Sequence, residues 1–447
     1  MAQKKKAIDR FKVGTLPEYQ LVDIQNLTPY ANNAKKHPPK QVEQIAGSMQ
    51  KFGAINPLIT DSSFEIIAGH GRYEAAKLLG LKQVPVILID HLSEAEKRAY
   101  RLADNQLTLN TGHDDDLLKV EITDLMEMDL DFDLEIMGFE TATLDLIIDD
   151  GVVIENDPAD DIPAIPDDGP VITKAGDIWV MGKHRLICAD ALQEQSYKDL
   201  ILTETAHMIF TDPPYNVSVN GHICGNGKIK HDEFAMASGE MSEEEFIKFL
   251  VAFIAFAVQH SRDGSLHYIC MDWRHIFELL SAGRAHYTDL KNICVWNKDN
   301  GGMGSFYRSK YELVSVFKHG SKPHLNTIDL GRHGRYRTNV WDYRGVNGFA
   351  GQSDLEMHPT VKPVAMIVDA IKDCTRRNHI VMDPFAGSGS TLIACEKSGR
   401  QARCIELEPK YCDVIVRRWQ KLTGLDAMHA DTCKTFNKSQ QGGKGDE

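Results

Sequence analysis

Apolar positions along this chain recur with different spacings in different stretches, and those spacings predict its elements. Val42, Ile45, Met49 and Phe52 repeat at helical spacing and stop at Gly53, which predicts an amphipathic helix. Two short apolar runs follow at residues 57–60 and 64–68, both strand-like. Gly69-His70-Gly71-Arg72 then opens a helix through Tyr73, Ala76 and Leu79 that Gly80 ends, and residues 84–89 read as a further strand. Leu117, Leu118, Val120, Ile122, Leu125 and Met126 predict another helix, and Leu144, Ile147 and Ile148 a short one. Residues 151–170, with Pro158, Pro163, Pro166 and Pro170 among acids, read as a solvated linker. Beyond it, apolar strands run into turns at residues 186–190, 209–212, 380–387 and 402–406, and residues 246–258 read as a core helix.

Charge changes this picture in one place. Residues 114–168 hold twenty Asp and Glu against the single base Lys119, whereas the flanks carry net charges of only +4 and +1. The overall charge of −14 is therefore one local block, and a polyanion can be met elsewhere on the chain. That block reads as a spacer of acidic helices, or as a mimic of DNA that restrains the protein until real DNA displaces it. All nine cysteines lie from Cys188 onward with no paired Cys-x-x-Cys array, so reduced thiols in a cytoplasmic protein are expected. No apolar run is long enough to span a bilayer, and the basic start at Lys4-Lys5-Lys6 has no apolar core after it, so no secretory signal is expected. His319, His324 and His333 read as loop histidines near phosphate or solvent, and no catalytic metal is expected.

Candidate chemistry concentrates at two turns. The first is Asp212-Pro213-Pro214-Tyr215, where an apolar strand ends in an acid, a diproline and a ring. Asp212 can accept a hydrogen bond from an amino group, and the diproline removes two donors and leaves carbonyl acceptors. Tyr215 can stack on a planar base, so the turn suits a flipped-out nucleobase held by its exocyclic amine. It also fits an ordinary proline-rich turn after a strand. The second turn is Asp383-Pro384-Phe385-Ala386-Gly387-Ser388-Gly389, which leads from a strand into a helix through Leu392, Ile393 and Ala394. Its glycines permit close backbone approach, and the helix start offers free N–H groups to a carboxylate. Glu406, ending the next strand, is placed to accept both hydroxyls of a ribose.

These residues, over about 171–437, resemble the S-adenosylmethionine-dependent DNA amino-methyltransferases. Asp190, ending Leu186-Ile-Cys-Ala-Asp190, resembles the acid that contacts the cofactor's adenine, and Asp212 to Tyr215 match the catalytic tetrapeptide. Residues 264–272 and 292–298 resemble the two strands that follow it. Residues 305–312, with Arg308, resemble the segment beside the base pocket, and residues 358–363, with Lys362, the segment before the cofactor loop. The catalytic tetrapeptide precedes the loop at Phe385, Ala386, Gly387, Ser388 and Gly389, the order of the circularly permuted beta group. The resemblance implies an α/β, Rossmann-like domain with a mixed, mostly parallel sheet. It further implies base flipping and in-line methyl transfer to the N6 amine of adenine in double-stranded DNA at a specific sequence. The cofactor set it implies is Asp190, Lys362, Asp383, the loop 385–389 and Glu406. Asp at the head of the tetrapeptide favours adenine; cytosine N4 methylation remains an alternative, and the Asn that would point to a protein glutamine is absent. Homodimers occur in this group.

Residues 20–110 resemble the ParB-like domain, so the chain divides into a small α+β ParB-like domain (18–113), an acidic helical segment and linker (114–170) and the methyltransferase domain (171–437). In that family the Gly-Arg turn and its helix bind a nucleotide's phosphates. Gly69 and Arg72 are present, but His70 and Gly71 replace the Glu and first Arg, which leaves nucleotide binding and a structural role for Arg72 both open and hydrolysis doubtful. The helix-turn-helix that follows in partition proteins is not apparent. DNA contacts are expected from the glycine-rich loop with Lys228 and Lys230, from Arg308, and from Arg332, Arg335 and Arg337 interleaved with aromatics. A rival from another class is a DNA-binding regulator whose methyltransferase part is inactive.

Overall fold

The computed structural model describes residues 19–109, 112–128, 130–148, 157–160, 171–217, 239–299, 306–328, 336–345 and 361–438. The chain divides into two compact units, residues 1–150 and 151–447.

The first unit carries a four-stranded sheet in the order β1-β4-β2-β3, built from β1 (Tyr19–Asp23), β2 (Leu58–Thr60), β3 (Ile66–Ala68) and β4 (Gln83–Leu88). β4 pairs parallel with β2 and antiparallel with β1, and β2 pairs antiparallel with β3. Helix α1 (Pro39–Phe52) starts on a proline and ends at Gly53, whose φ of 88° suits glycine. It crosses α2 (His70–Leu78) where Gly71 stands: a Cβ there would lie 3.0 Å from Ile45 Cδ1 and 2.9 Å from His37 Nδ1. That close approach explains a glycine where the resemblance leads one to expect arginine. After α3 (Glu94–Leu109), the acidic stretch forms α4 (Asp115–Glu127), a 3-10 turn (Leu134–Met137) and α5 (Thr141–Ile148) around Ile122, Leu134 and Leu144. The stretch packs on α1, with the rings of Phe132 and Phe52 5.6 Å apart and Asp131 paired with Lys51. Asp115, Asp116, Glu121 and Asp124 of α4 face water while its apolar stripe joins the unit, and Asp145 on α5 is buried.

The second unit is a ten-stranded sheet in the order β11-β9-β10-β8-β7-β12-β13-β6-β5-β14. In chain order these are β5 (Ile178–Met181), β6 (His184–Cys188), β7 (Ala206–Thr211), β8 (Ser261–Met271), β9 (Asp289–Asn297), β10 (Tyr311–Lys318), β11 (Val340–Asp342), β12 (Ile380–Asp383), β13 (Gln401–Glu406) and β14 (Met428–His429). The central run β8-β7-β12-β13-β6 is parallel throughout. β12 and β13, late in the chain, therefore sit between β6 and β7, early in the chain. Successive residues of each central strand serve opposite faces: Met208 and Phe210 join one core layer and Ile209 the other. On one face lie α9 (Val364–Cys374), α10 (Ser390–Ser398) and α11 (Pro409–Thr423). On the other lie α6 (Glu194–Ile201), α7 (Glu243–Gln259) and α8 (Ile276–Gly283). α7 is the core helix expected from residues 246–258, opened by a capping box between Ser242 and Glu245. Seven of the cysteines are buried and Cys433 is exposed, among the described residues. No described helix is long and apolar enough to cross a membrane.

Asp413 on α11 anchors the entry of this unit. Its carboxylate, 2 % exposed, accepts from the amides of Ile172 (2.9 Å) and Thr173 (3.0 Å) and from the Thr173 hydroxyl (2.6 Å). Asp413→Ala strands these donors and should lower unfolding stability by about 3 kcal/mol, with Asp413→Asn milder. Thermal unfolding followed by circular dichroism reads this directly; an unchanged midpoint would remove Asp413 as the anchor.

Candidate active site

Parallel pairing brings the two candidate turns to one edge of the sheet. β7 ends at Thr211 and β12 at Asp383, side by side, and the Thr211 hydroxyl donates to Asp383 across 2.7 Å in the interior. β13 and β6 end beside them at Glu406 and just before Asp190, where the Ala189 amide donates to the Glu406 carbonyl at 2.9 Å. Ligand clefts of open α/β sheets form at such carboxyl ends.

On the β7 side the Tyr215 hydroxyl donates to Asp212 Oδ1, and Lys362 Nζ donates to Asp212 Oδ2. Lys362 also lies 3.1 Å from Glu312 Oε2, and Glu312 in turn pairs with Lys298. The result is an alternating chain Lys298–Glu312–Lys362–Asp212–Tyr215, with Lys362 only 4 % exposed. Register produces part of it, because Glu312 on β10 stands opposite Trp296 on β9 and Lys298 follows two residues later. Burial pushes the Asp212 carboxyl above the usual carboxylate range against the pull of Lys362. Glu312 is buried too, but its two lysines hold it down at about 2. Burial works against the charge on Lys362, and Asp212 and Glu312 outweigh it and keep the ammonium well protonated. Pro213 is buried, Pro214 and Tyr215 half-buried. Asn216, at φ 55°, uses its side chain to accept from the amides of Gly239 and Met241 and to donate to the Met241 carbonyl.

On the β12 side, Gly387 and Gly389 have φ of 54° and 86°, and a Cβ on Gly389 would sit 2.9 Å from Ile415. The loop is held from beneath: Ala386 N donates to Ile405 O (3.0 Å), and the buried Arg418 donates to the Ser388 carbonyl (3.0 Å) and the Ser390 hydroxyl (3.2 Å). Phe385 packs its ring against Phe249 and Phe253. Glu406 accepts from the amides of Gly387 (2.8 Å) and Glu408 (2.9 Å), and Asp190 from the Leu192 amide (2.8 Å). A loop shaped by two glycines, with carboxylates at the end of β13 and just past β6, is a donor and acceptor set that suits a nucleoside bearing an amino acid.

The sequence-derived residues thus divide in three. Asp212 to Tyr215, Asp190, Asp383, Phe385 to Gly389 and Glu406 stand at the same sheet edge. Lys362, expected from the sequence at the cofactor, is paired with Asp212 and Glu312. Arg337, offered to DNA, is bound to Asp369 and Asp373 at 3.2 Å each and donates to the Tyr343 hydroxyl oxygen at 2.7 Å, so its charge is neutralised inside the fold. Arg308 is exposed; Lys228, Lys230, Arg332 and Arg335 lie outside the described residues. Glu312, Lys298 and Arg418 had been given no role, because nothing in sequence spacing reveals pairings made across strands.

The first unit holds a cavity of about 720 Å³ lined by Gly69, His70, Arg72, Lys35, Arg101 and Asp104, among others. Gly69, at φ 101°, places the start of α2 against it. Arg72 is half-buried there, burial pulls its guanidinium below the usual range, and its Nε has no hydrogen-bond partner among the described residues. Among those residues no cluster of His, Cys, Asp or Glu suits a metal ion.

A sheet edge of this kind suits a nucleotide ligand, and comparison with known proteins identifies the domain that carries it: residues 206–417 match the model of the N6/N4 DNA methylases ("DNA methylase"), so the chain carries an N6/N4 DNA methylase domain. It carries a ParB N-terminal domain ahead, matched over residues 6–106, and a ParB-methyltransferase HTH domain over residues 116–175. The latter match corrects the sequence reading, in which no helix-turn-helix was apparent; Asp115, Asp116, Glu121 and Asp124 lie on the solvent side of α4 and leave its apolar stripe free to pack. The chain is 45% identical over 75 residues to the ParB-like nuclease domain-containing protein YnaK of Escherichia coli (strain K12), covering 17% of this chain and 86% of that one. It is 28% identical over 258 residues to the DNA adenine methyltransferase YhdJ of the same organism, covering 52% and 81%. It is similar to the structure of the PvuII cytosine-N4-specific DNA methyltransferase, at 14% identity and a TM-score of 0.42, covering 59% and 94%.

Burial pushes the Glu406 carboxyl up to about 7 and that of Asp383 to about 6. A carboxyl raised in the folded state binds more protons folded than unfolded, so stability falls as pH rises from about 4.5 and levels off above the folded value. The unfolding midpoint of the wild type should therefore fall more steeply between about pH 4.5 and 7 than that of Glu406→Gln. Parallel slopes in calorimetry would mean that Glu406 ionises normally.

Proposed function

We propose that this chain transfers a methyl group from S-adenosylmethionine to the exocyclic N6 amine of adenine in double-stranded DNA, acting in the cytoplasm at a specific sequence. The observation that carries the reading is the adjacency of the Asp212–Tyr215 turn, ending β7, to the glycine loop that follows β12. Glu406 and Asp190 would accept from the cofactor's ribose and adenine, and the loop 385–389 would face its amino-acid end. The bound cofactor supplies an electrophilic methyl on a sulfonium. The target base enters by leaving the duplex, at a cost of a few kcal/mol, with the ring of Tyr215 to stack on.

An exocyclic amine is a weak nucleophile because its lone pair is delocalised into the ring. Hydrogen bonds from its two protons to the Asp212 carboxylate and the Pro213 carbonyl favour a pyramidal nitrogen with a localised lone pair. Asp212 is already bonded through both oxygens, yet each retains a second lone pair for the amine. Lys362 works against the burial that favours the neutral acid and holds the carboxylate in one orientation. Asp212 is then also the acceptor at hand for the proton that the nitrogen loses. Positioning and desolvation supply most of the acceleration.

Adenine is favoured by the Asp at the head of the tetrapeptide, and the similarity to a DNA adenine methyltransferase supports it. Tritiated-methyl transfer to unmethylated DNA followed by nucleoside analysis should give N6-methyladenine; N4-methylcytosine would reassign the base, and no transfer would favour a regulator with an inactive domain. Asp212→Ala should reduce transfer by roughly a thousandfold while cofactor binding persists. Activity surviving that change would overturn the mechanism.

In the ParB-like unit, the cavity beside Gly69 and Arg72 suits the phosphates of a nucleotide, because the half-buried Arg72 has an unused donor in its buried Nε. Titration calorimetry with nucleoside triphosphates should show binding that Arg72→Ala weakens at least tenfold, as expected for a lost charge-assisted bond. No binding by the wild type would leave Arg72 a structural residue.

A further inference from the structure

Large aromatic side chains stand in solvent just after β8 and in the segment just before β10. Phe306 and Tyr307 are 85 % and 80 % exposed, with ring centroids 4.6 Å apart in an edge-to-face pair. Trp273, which follows β8, is 47 % exposed, and its indole N–H donates to Ser309 Oγ at 3.2 Å, tying the end of β8 to the segment before β10. The segment is further fixed where Lys298 N donates to Lys310 O at 2.8 Å. Single exposed apolar residues are ordinary on protein surfaces, but a cluster of three aromatics is not.

Its position and its charge suggest what it meets. Glu312, bonded to Lys362 and within 3.3 Å of the Tyr215 hydroxyl, lies five residues after Tyr307 and six after Phe306, so the backbone of the pair stands within roughly 22 Å of that of Glu312 even for an extended chain. Arg274 lies over the Trp273 ring at 4.9 Å, braced by Asp272 at 3.2 Å, and Arg308 and Lys310 are exposed on the same segment. Exposed rings interleaved with bases and continuous with a nucleobase cleft match the chemistry of unpaired DNA, whose bases stack on aromatics while the phosphates meet cations.

We propose that Phe306, Tyr307 and Trp273 form a stacking platform for unpaired bases of the DNA substrate beside the cleft, those uncovered when the target base leaves the duplex. The proposal rests on the reading of the cleft as a site that acts on a flipped base. Stacking there offsets part of the cost of opening the duplex, and it does so without reading sequence, because every base offers a flat face.

The test uses the full chain with two fluorescently labelled DNAs, a fully paired duplex and the same duplex with a central bubble of unpaired bases. The wild type should bind the bubble more tightly, and Phe306→Ala/Tyr307→Ala should lose about tenfold of that preference. Affinity for the paired duplex and its salt dependence should stay unchanged, since phosphate contacts remain. Both side chains are exposed, so the variant should keep the wild-type unfolding midpoint. An equal bubble preference in variant and wild type, or none in the wild type, would overturn the platform. So would a variant that loses self-association in sedimentation while its bubble preference is intact, since the rings would then serve contact between copies of the chain. Methyl transfer run alongside separates the two readings: no transfer by the wild type counts against the cleft's chemistry, whereas the binding arm decides the platform alone.

Discussion

A carboxylate that must accept hydrogen bonds inside a protein has to stay ionised where burial favours the neutral acid. At Asp212 it is Lys362 that opposes burial, and the rest of the site follows from what Lys362 requires. A buried ammonium is itself unstable without compensation. Glu312 provides it, and Lys298 offsets Glu312, so the charges alternate from the rim inward and cancel over the four groups. None of these four charged groups can be removed without leaving a neighbour uncompensated.

Two strand pairs fix that arrangement. β9 and β10 set Lys298 and Glu312 by register, and β7 sets Asp212 next to β12. The Thr211–Asp383 hydrogen bond joins the base side of the cleft to the cofactor side without either residue reaching solvent. Beneath the glycine loop Arg418 bonds Ser388 and Ser390 from one side and the carbonyl of Ala159 from the other, so the loop's shape depends on chain segments far apart in sequence.

Much of this was legible in the sequence wherever the chemistry is contiguous. Asp212 to Tyr215 and Phe385 to Gly389 each carry their function in a few adjacent residues, and the strand-to-turn pattern around them placed both at strand ends. The legibility stopped at tertiary pairings. The sequence places Lys362 at the cofactor because its segment precedes the loop, and only the fold shows its pairing with Asp212. Arg337 looked like a phosphate ligand because basic and aromatic residues surround it; Asp369 and Asp373, one helical turn apart on α9, form its receptor. The helix-turn-helix was hidden for a related reason. Twenty acids dominate the composition of residues 114–168, whereas the packing is decided by a few apolar positions such as Ile122, Leu134 and Leu144.

The insertion of β12 and β13 between β6 and β7 also bears on how the chain is made. A ribosome delivers β6, β7 and β8 long before residues 380–406, and during that interval the inner edges of β6 and β7 have no strand to pair with. Those edges are apolar on both faces, Met208, Ile209 and Phe210 among them, which is a hazard for sticking to other nascent chains. The central pairings span well over a hundred residues, a topology that closes slowly. Completion of the sheet and completion of the cleft are then the same late event, so the newborn protein has no working site until its last central strands arrive.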